Sequence, residues 1–155
     1  MSPSGRTLRA IGRVAVAGHG GARVSDTLLL DHDERMAPRG IKRGLRGNDI
    51  ELAIPADMVL RHDDLLLLDD DATVEVVARP ERLIEVRAPD LAALARAAWL
   101  VGDHHIPAEL GARRVRVRYA EATLSLLSPL NLRLIEIEAP FEPEAGAYAH
   151  ERSAA

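Results

Sequence analysis

The feature that most constrains this chain is the shortness of its apolar runs across the first half. Val14-Ala15-Val16, Thr27-Leu28-Leu29-Leu30, Ile50-Glu51-Leu52-Ala53-Ile54, Leu65-Leu66-Leu67-Leu68 and Val74-Glu75-Val76-Val77 are each cut off by turn-forming residues. The interruptions are His19-Gly20-Gly21, Asp31-His32-Asp33, Gly40, Gly44, Gly47-Asn48-Asp49 and Asp69-Asp70-Asp71. Runs of this length between Gly and Asp turns suit strands rather than helices. Residues 1–79 are therefore predicted to form an all-β unit, an antiparallel sandwich or small barrel. Asp69-Asp70-Asp71-Ala72 reads as a hairpin turn.

The pattern changes around Arg79-Pro80-Glu81, where a linker is predicted. Leu83-Ile84-Glu85-Val86-Arg87 alternates, with Ile84 and Val86 on one face. Asp90 is placed to cap a helix from Leu91 to Val101, with Leu91, Leu94, Ala95, Ala98 and Val101 on one stripe and Gly102 to stop it. Residues 104–110 and 113–119 read as strands, the second with Val115, Val117 and Tyr119 inward and Arg114, Arg116 and Arg118 outward. Residues 121–127 read as a second helix ended by Ser128-Pro129, and 132–138 as a last strand. The order β-α-β-β-α-β is the ferredoxin-like split arrangement. The chain is thus predicted to be α+β with two domains, 1–79 and 80–143, followed by a flexible tail over 144–155.

The totals exclude several functions. There is no cysteine, so transition-metal chemistry must rest on six histidines and the carboxylates. A net charge of −4 argues against a nucleic-acid binder. The basic stretch 35–46 lacks the aromatic groups on which bases stack, and reads as a solvated loop or a docking surface for an acidic partner. No apolar run reaches the roughly 18 residues of a membrane span, and the N-terminus lacks a signal peptide's apolar core. A cytoplasmic protein is the expectation. Gly-x-Ser-x-Gly, the P-loop and His-Glu-x-x-His are all missing, which points away from an enzyme.

Two places carry candidate ligands. Gly102-Asp103-His104-His105-Ile106-Pro107 puts two histidines after a helix end, entering the predicted strand. Adjacent strand residues face opposite ways, so one of the two would be presented outward. Two-fold dimerisation would bring that histidine together from both protomers. The alternative is a pair of polar residues that suit a helix C-terminus. The second place is the segment 138–150, with two prolines, the only phenylalanine and, beyond Tyr148, His150. Its prolines forbid regular hydrogen bonding, so it reads as an extended segment docked through Phe141 and Tyr148. His150 is either a ligand or a solvated terminal residue. His19, His32 and His62 lie in predicted turns, where structural or solvated roles are expected.

Several stretches resemble one family. Leu28-Leu29-Leu30-Asp31-His32-Asp33-Glu34-Arg35 is similar to its Leu-x-Leu-x-x-x-x-Arg opening segment. Arg61-His62-Asp63-Asp64-Leu65-Leu66 and Val74-Glu75-Val76 resemble the end of its N-terminal domain. Residues 94–107, ending Gly102-Asp103-His104-His105-Ile106-Pro107, resemble its helix followed by Gly-Asn-Arg-His-Val-Pro. Glu138-Ala139-Pro140-Phe141-Glu142-Pro143-Glu144-Ala145-Gly146-Ala147-Tyr148 is similar to its Glu-Ala-Pro-Phe-x-Pro-Glu-x-Gly-Ala-Tyr. The family is that of the UreE-type urease accessory proteins, nickel metallochaperones of urease maturation.

The resemblance implies a homodimer through the ferredoxin-like domain, with Ni(II) at the two-fold axis and Zn(II) or Cu(II) able to substitute. It implies His105 as the ligand, His150 as an added ligand from the tail, and His104, in the family's arginine position, as an auxiliary one. The implied partners are the urease accessory GTPase and the urease apoprotein. Where the family commonly has Asp-His after the third strand of this domain, the chain has Ala120-Glu121, and its tail ends without a histidine cluster. A second reading is an interaction module for urease assembly whose metal binding is incidental or lost.

Overall fold

The structure, a computed structural model, describes residues 7–14 and 23–146. Contacts divide the chain into two compact units, Met1–Arg79 and Pro80–Ala155. The N-terminal unit contains β1 (Thr7–Arg13), β2 (Val24–Leu30), α1 (His32–Met36), β3 (Ile41–Arg43), β4 (Asp49–Leu52), β5 (Leu65–Leu68) and β6 (Thr73–Ala78). The strands form one six-stranded sheet in the order β2-β6-β5-β1-β4-β3. Period-two alternation sends Leu8, Ala10, Leu28, Leu30, Ile50, Leu52, Leu66, Leu68, Val74 and Val76 to one side, where they form the core with Leu60. β5 and β6 make the expected hairpin across Asp69-Asp70-Asp71, with Asp71 at φ 62° in the turn.

The sheet is not wholly antiparallel, which corrects the sequence expectation. β1 pairs parallel with β4, and β2 parallel with β6. Both pairs join strands far apart in sequence, so no hairpin turn dictates their direction. The two edges approach each other through Asp26 of β2. Its carboxylate, with no exposed surface, accepts hydrogen bonds from the backbone N–H of Thr27 (2.7 Å), Arg46 (2.8 Å) and Asn48 (3.2 Å), and from Asn48 Nδ2 (2.9 Å). The Leu45 N–H also donates to Thr27 O at 3.0 Å. These bonds fasten the β3–β4 turn to β2, so the sheet is closer to a small barrel than to a sandwich. Burial raises the Asp26 pKa, but the bonds from Arg46, Thr27 and Asn48 outweigh it and leave the carboxyl below its ordinary range.

The turn expected at Asp31-His32-Asp33 is the start of α1. Asp31 accepts from Glu34 N (2.8 Å), while the Glu34 carboxylate accepts from Asp31 N (3.0 Å), a reciprocal capping box.

The C-terminal unit contains β7 (Pro80–Arg87), α2 (Leu91–Asp103), β8 (Ala108–Gly111), β9 (Arg114–Arg118), α3 (Glu121–Leu127) and β10 (Arg133–Pro140), with a 3-10 turn at Ser128–Leu130. Its sheet order is β10-β7-β9-β8, with all pairings antiparallel. This is the ferredoxin-like β-α-β-β-α-β arrangement. Ile84, Val86, Val115 and Val117 meet Leu94, Ala97, Val101 and Leu127 on the helix-covered face. On the other face, Glu85 lies buried between Arg87 (2.7 Å) and Arg116 (2.8 Å), and Arg116 continues to Glu109 (3.2 Å). The arginines of β9 face outward as expected, and there they belong to an ion-pair network.

Asp90 caps α2 as expected, accepting from Ala93 N at 2.8 Å. The expected inward stripe holds in part. Leu94 and Val101 are buried, together with Ala97, and Ala98 packs against the same core, whereas Leu91 is 65% and Trp99 68% exposed, with Ala95 exposed between them. The spacing i, i+4, i+8 lines these three along one outward stripe.

Candidate functional site

Residues 104–110 do not form one strand. The helix runs through Gly102 to Asp103, His104 and His105 make a turn, and β8 begins only at Ala108. The expectation that one histidine points inward and the other outward therefore fails. Neither has strand geometry, and both are exposed. The reason lies in the helix end. The Ile106 N–H donates to Val101 O (3.0 Å) and the His105 N–H to Gly102 O (2.9 Å), while His105 has φ 55°. This is the Schellman pattern, with His105 in the left-handed position that glycine usually takes. Ile106 completes it by packing against the cluster that contains Val101.

Among the described residues, four non-glycines have positive φ: Asp63, Asp71, His105 and Asn131. Three are Asp or Asn, whose short side chains bond locally and tolerate this region. His105 is the fourth, carrying a full imidazole where the backbone favours no side chain at all. His104 is the cap residue. Its N–H donates to Leu100 O at 3.1 Å, and its Nδ1 lies 3.0 Å from the same oxygen. The last turn of α2 has no basic residue and ends on the exposed Asp103. The negative end of the helix dipole therefore faces these imidazoles without local compensation, which favours a cation there.

The segment after β10 approaches the same region. Phe141 is fully buried, with the Arg118 guanidinium 5.7 Å from its ring centre. The Glu142 N–H donates to Glu109 Oε2 (3.1 Å), and the Glu144 N–H to Ala108 O (2.8 Å). β10 and β8 are opposite edges of the sheet. Arg118 and Glu109 lie on the face away from the helices, by their alternation with Val117 and Ala108. The segment therefore crosses that face and reaches β8 three residues after His105. The expectation of an extended segment docked through Phe141 holds. Tyr148 and His150 lie outside the described residues, as do His19 and the tail from 147 onward.

Among the described residues, no three His, Cys, Asp or Glu side chains come together closely enough to hold a metal ion. The structure thus places His104 and His105 side by side but supplies no complete coordination shell from them. Of the other histidines, His32 and His62 are among the described residues and make contacts within the N-terminal unit. His62 Nδ1 accepts from Ala78 N (3.2 Å), and His32 Nδ1 lies 3.5 Å from Asp33. The basic stretch is also largely engaged within its unit. Lys42 pairs with Glu34 (2.7 Å), Arg43 with Asp49 (2.8 Å), and Arg46 Nη1 donates to Ser25 O (3.2 Å). Among the described residues, no helix is long and apolar enough to cross a membrane.

Fold and site together define a two-domain α+β protein whose ferredoxin-like unit displays paired imidazoles at a helix end, beside an anchored C-terminal segment. Comparison with known proteins agrees. The C-terminal domain profile of the UreE urease accessory proteins matches residues 81–155, and the N-terminal domain profile matches residues 8–79. The urease accessory protein UreE of Beijerinckia indica subsp. indica is 46% identical over 125 residues, covering 81% of this chain and 72% of the relative. Those of Chelativorans sp. and Rhodopseudomonas palustris are 39% and 41% identical, covering 81% and 84% of this chain and 80% and 61% of their own lengths. The chain belongs to the UreE urease accessory protein family. It spans less than two thirds of the length of several of these relatives, for example 61% and 60%.

Proposed function

We propose that this protein is a cytoplasmic metallochaperone that carries Ni(II) for assembly of the urease active site, and that it works as a homodimer. The observation that carries this reading is the outward stripe Leu91-Ala95-Trp99, which leads along α2 to the His104–His105 turn. Trp99 is the chain's only tryptophan, and a large exposed aromatic is the kind of residue that subunit interfaces bury. An isologous interface around it sets the same patch of each protomer against the other and brings both histidine turns beside the symmetry axis. The incomplete ligand set of one protomer then becomes two His105 imidazoles, with His104 as an auxiliary ligand.

His150 completes the shell. The last described anchor is Glu144 on Ala108. Six residues at no more than about 3.5 Å each allow His150 a reach of roughly 20 Å from it. Releasing this ligand lowers the coordination number and frees the ion for transfer to the urease accessory GTPase and the urease apoprotein. Imidazole ligands suit Ni(II) but also Zn(II), and Cu(II) binds such sites more tightly still, so selectivity comes from docking and metal supply. The N-terminal unit, residues 1–79, supplies the partner-docking surface, and residues 80–143 bind metal and dimerise. The protein binds and delivers rather than catalyses.

The test is nickel titration calorimetry on the purified dimer beside His105→Ala. One tight ion per dimer, lost in the variant, supports the shared site. Equal binding by both proteins removes His105 from it, and no binding by either favours an interaction module for urease assembly with no metal role.

A further inference from the structure

We infer that His104 is a full ligand of the carried ion, so that a dimer presents four fold-held imidazoles on two adjacent turns. This rests on the reading of His105 as the shared ligand and extends it to a residue that reading makes only auxiliary. The first argument is the orientation of the ring. A carbonyl oxygen can only accept, so the 3.0 Å contact between His104 Nδ1 and Leu100 O places a proton on Nδ1. In the neutral ring the lone pair is then on Nε2. No other hydrogen bond or ion pair reaches this exposed ring among the described residues. Donation of one ring N–H to a backbone carbonyl, with the other nitrogen left open, is how metal-ligating histidines are held.

The second argument is that helix capping does not need this bond. Leu100 O already receives the His104 backbone N–H at 3.1 Å. The added ring contact gives the helix end little and gives the imidazole a fixed direction. The third argument is adjacency. Consecutive Cα atoms lie about 3.8 Å apart, so a two-fold axis within ligand reach of His105 also lies close to the reach of His104. The ligand class is a divalent transition ion of intermediate softness, Ni(II), Cu(II) or Zn(II), for which several imidazoles form a suitable donor set.

The test compares the full-length protein with His104→Asn, His104→Arg and His105→Ala, with Ni(II) as the probe. Calorimetry gives affinity, and X-ray absorption gives the number of coordinated imidazoles. Asn keeps a polar cap at an exposed position, and circular dichroism with sizing chromatography checks that fold and dimer persist. The expected result is that His104→Asn and His104→Arg each weaken binding by about tenfold or more, the least that loss of even an outer-shell partner typically costs. The imidazole count falls by two per dimer. Unchanged affinity and imidazole count in both His104 variants, with binding lost in His105→Ala, would overturn the inference and leave His104 as a helix cap. If His105→Ala binds normally, the shared His105 site fails, and the imidazole count in His104→Asn still decides the role of His104 separately.

Discussion

Replacing His105 by glycine should make the metal-free protein more stable while removing the proposed metal ligand. His105 occupies the left-handed position of the α2 terminus at φ 55°, where a Cβ crowds the following carbonyl at a cost of about 1–2 kcal/mol. Glycine removes that cost but loses about 0.5–1 kcal/mol to its greater freedom in the unfolded chain. The His105 side chain is exposed, so its truncation sacrifices little buried area. The net gain expected is about 0.5–1 kcal/mol, which for a domain of this size raises Tm by roughly 2–8 °C. Alanine keeps the Cβ and therefore the strain, so His105→Ala should stay within about 0.5 kcal/mol of the parent. Thermal and urea denaturation of all three proteins, metal-free and at one protein concentration, measures the differences. If glycine is no more stabilising than alanine, the left-handed strain at His105 is not what the helix terminus implies.

Three further outcomes follow from the packing. Asp26→Ala leaves three backbone N–H groups without their acceptor and should cost about 3 kcal/mol in urea unfolding, at roughly 1 kcal/mol per lost bond. The Asp26 carboxyl is lowered in the folded state, because its hydrogen bonds outweigh the opposing effect of burial. Its stabilisation is therefore full above the ordinary carboxylate range and lost as pH falls through the depressed folded value. Urea midpoints measured downward from about pH 5 should fall less steeply in Asp26→Ala than in the parent. Gly44→Ala drives a Cβ into the Asp26 carboxylate and should destabilise the N-terminal unit by about 1–3 kcal/mol, with parental stability speaking against this close approach. Phe141→Ala empties a fully buried site and should cost about 3–5 kcal/mol. It should also raise hydrogen exchange at the Glu142 and Glu144 amides, and unchanged protection there would show that Phe141 does not anchor the segment.

The sequence was most legible where one period dominates. Alternation locates β7 and β9, short apolar runs between turn residues locate β5 and β6, and the Asp90 cap locates α2, because each signal is local and strong. Strand direction in the N-terminal unit was not legible, since β1–β4 and β2–β6 pair across long separations that no turn encodes. The α1 capping box was visible as Asp31…Glu34, but reads as a turn when the helix it opens is only five residues long. The cap places the start of α2 correctly, and Leu94 and Val101 of the expected stripe do face the core. Leu91 and Ala95 fit the same stripe by spacing alone, and only the docked sheet shows that Ala97 takes their place. The histidine pair was found as a pair, but its geometry was missed. The signal was Gly102 lying before the true stop rather than at it, which left His105 to take the left-handed position.

The measurement that tests the account most directly is activation of apo-urease by the nickel-loaded dimer in the presence of a chelator that holds free nickel below the activating level. The parent protein should activate the urease, and His105→Ala, folded and dimeric, should not. Equal activation by the two would contradict the central claim, because delivery would then not pass through the histidine turn of α2.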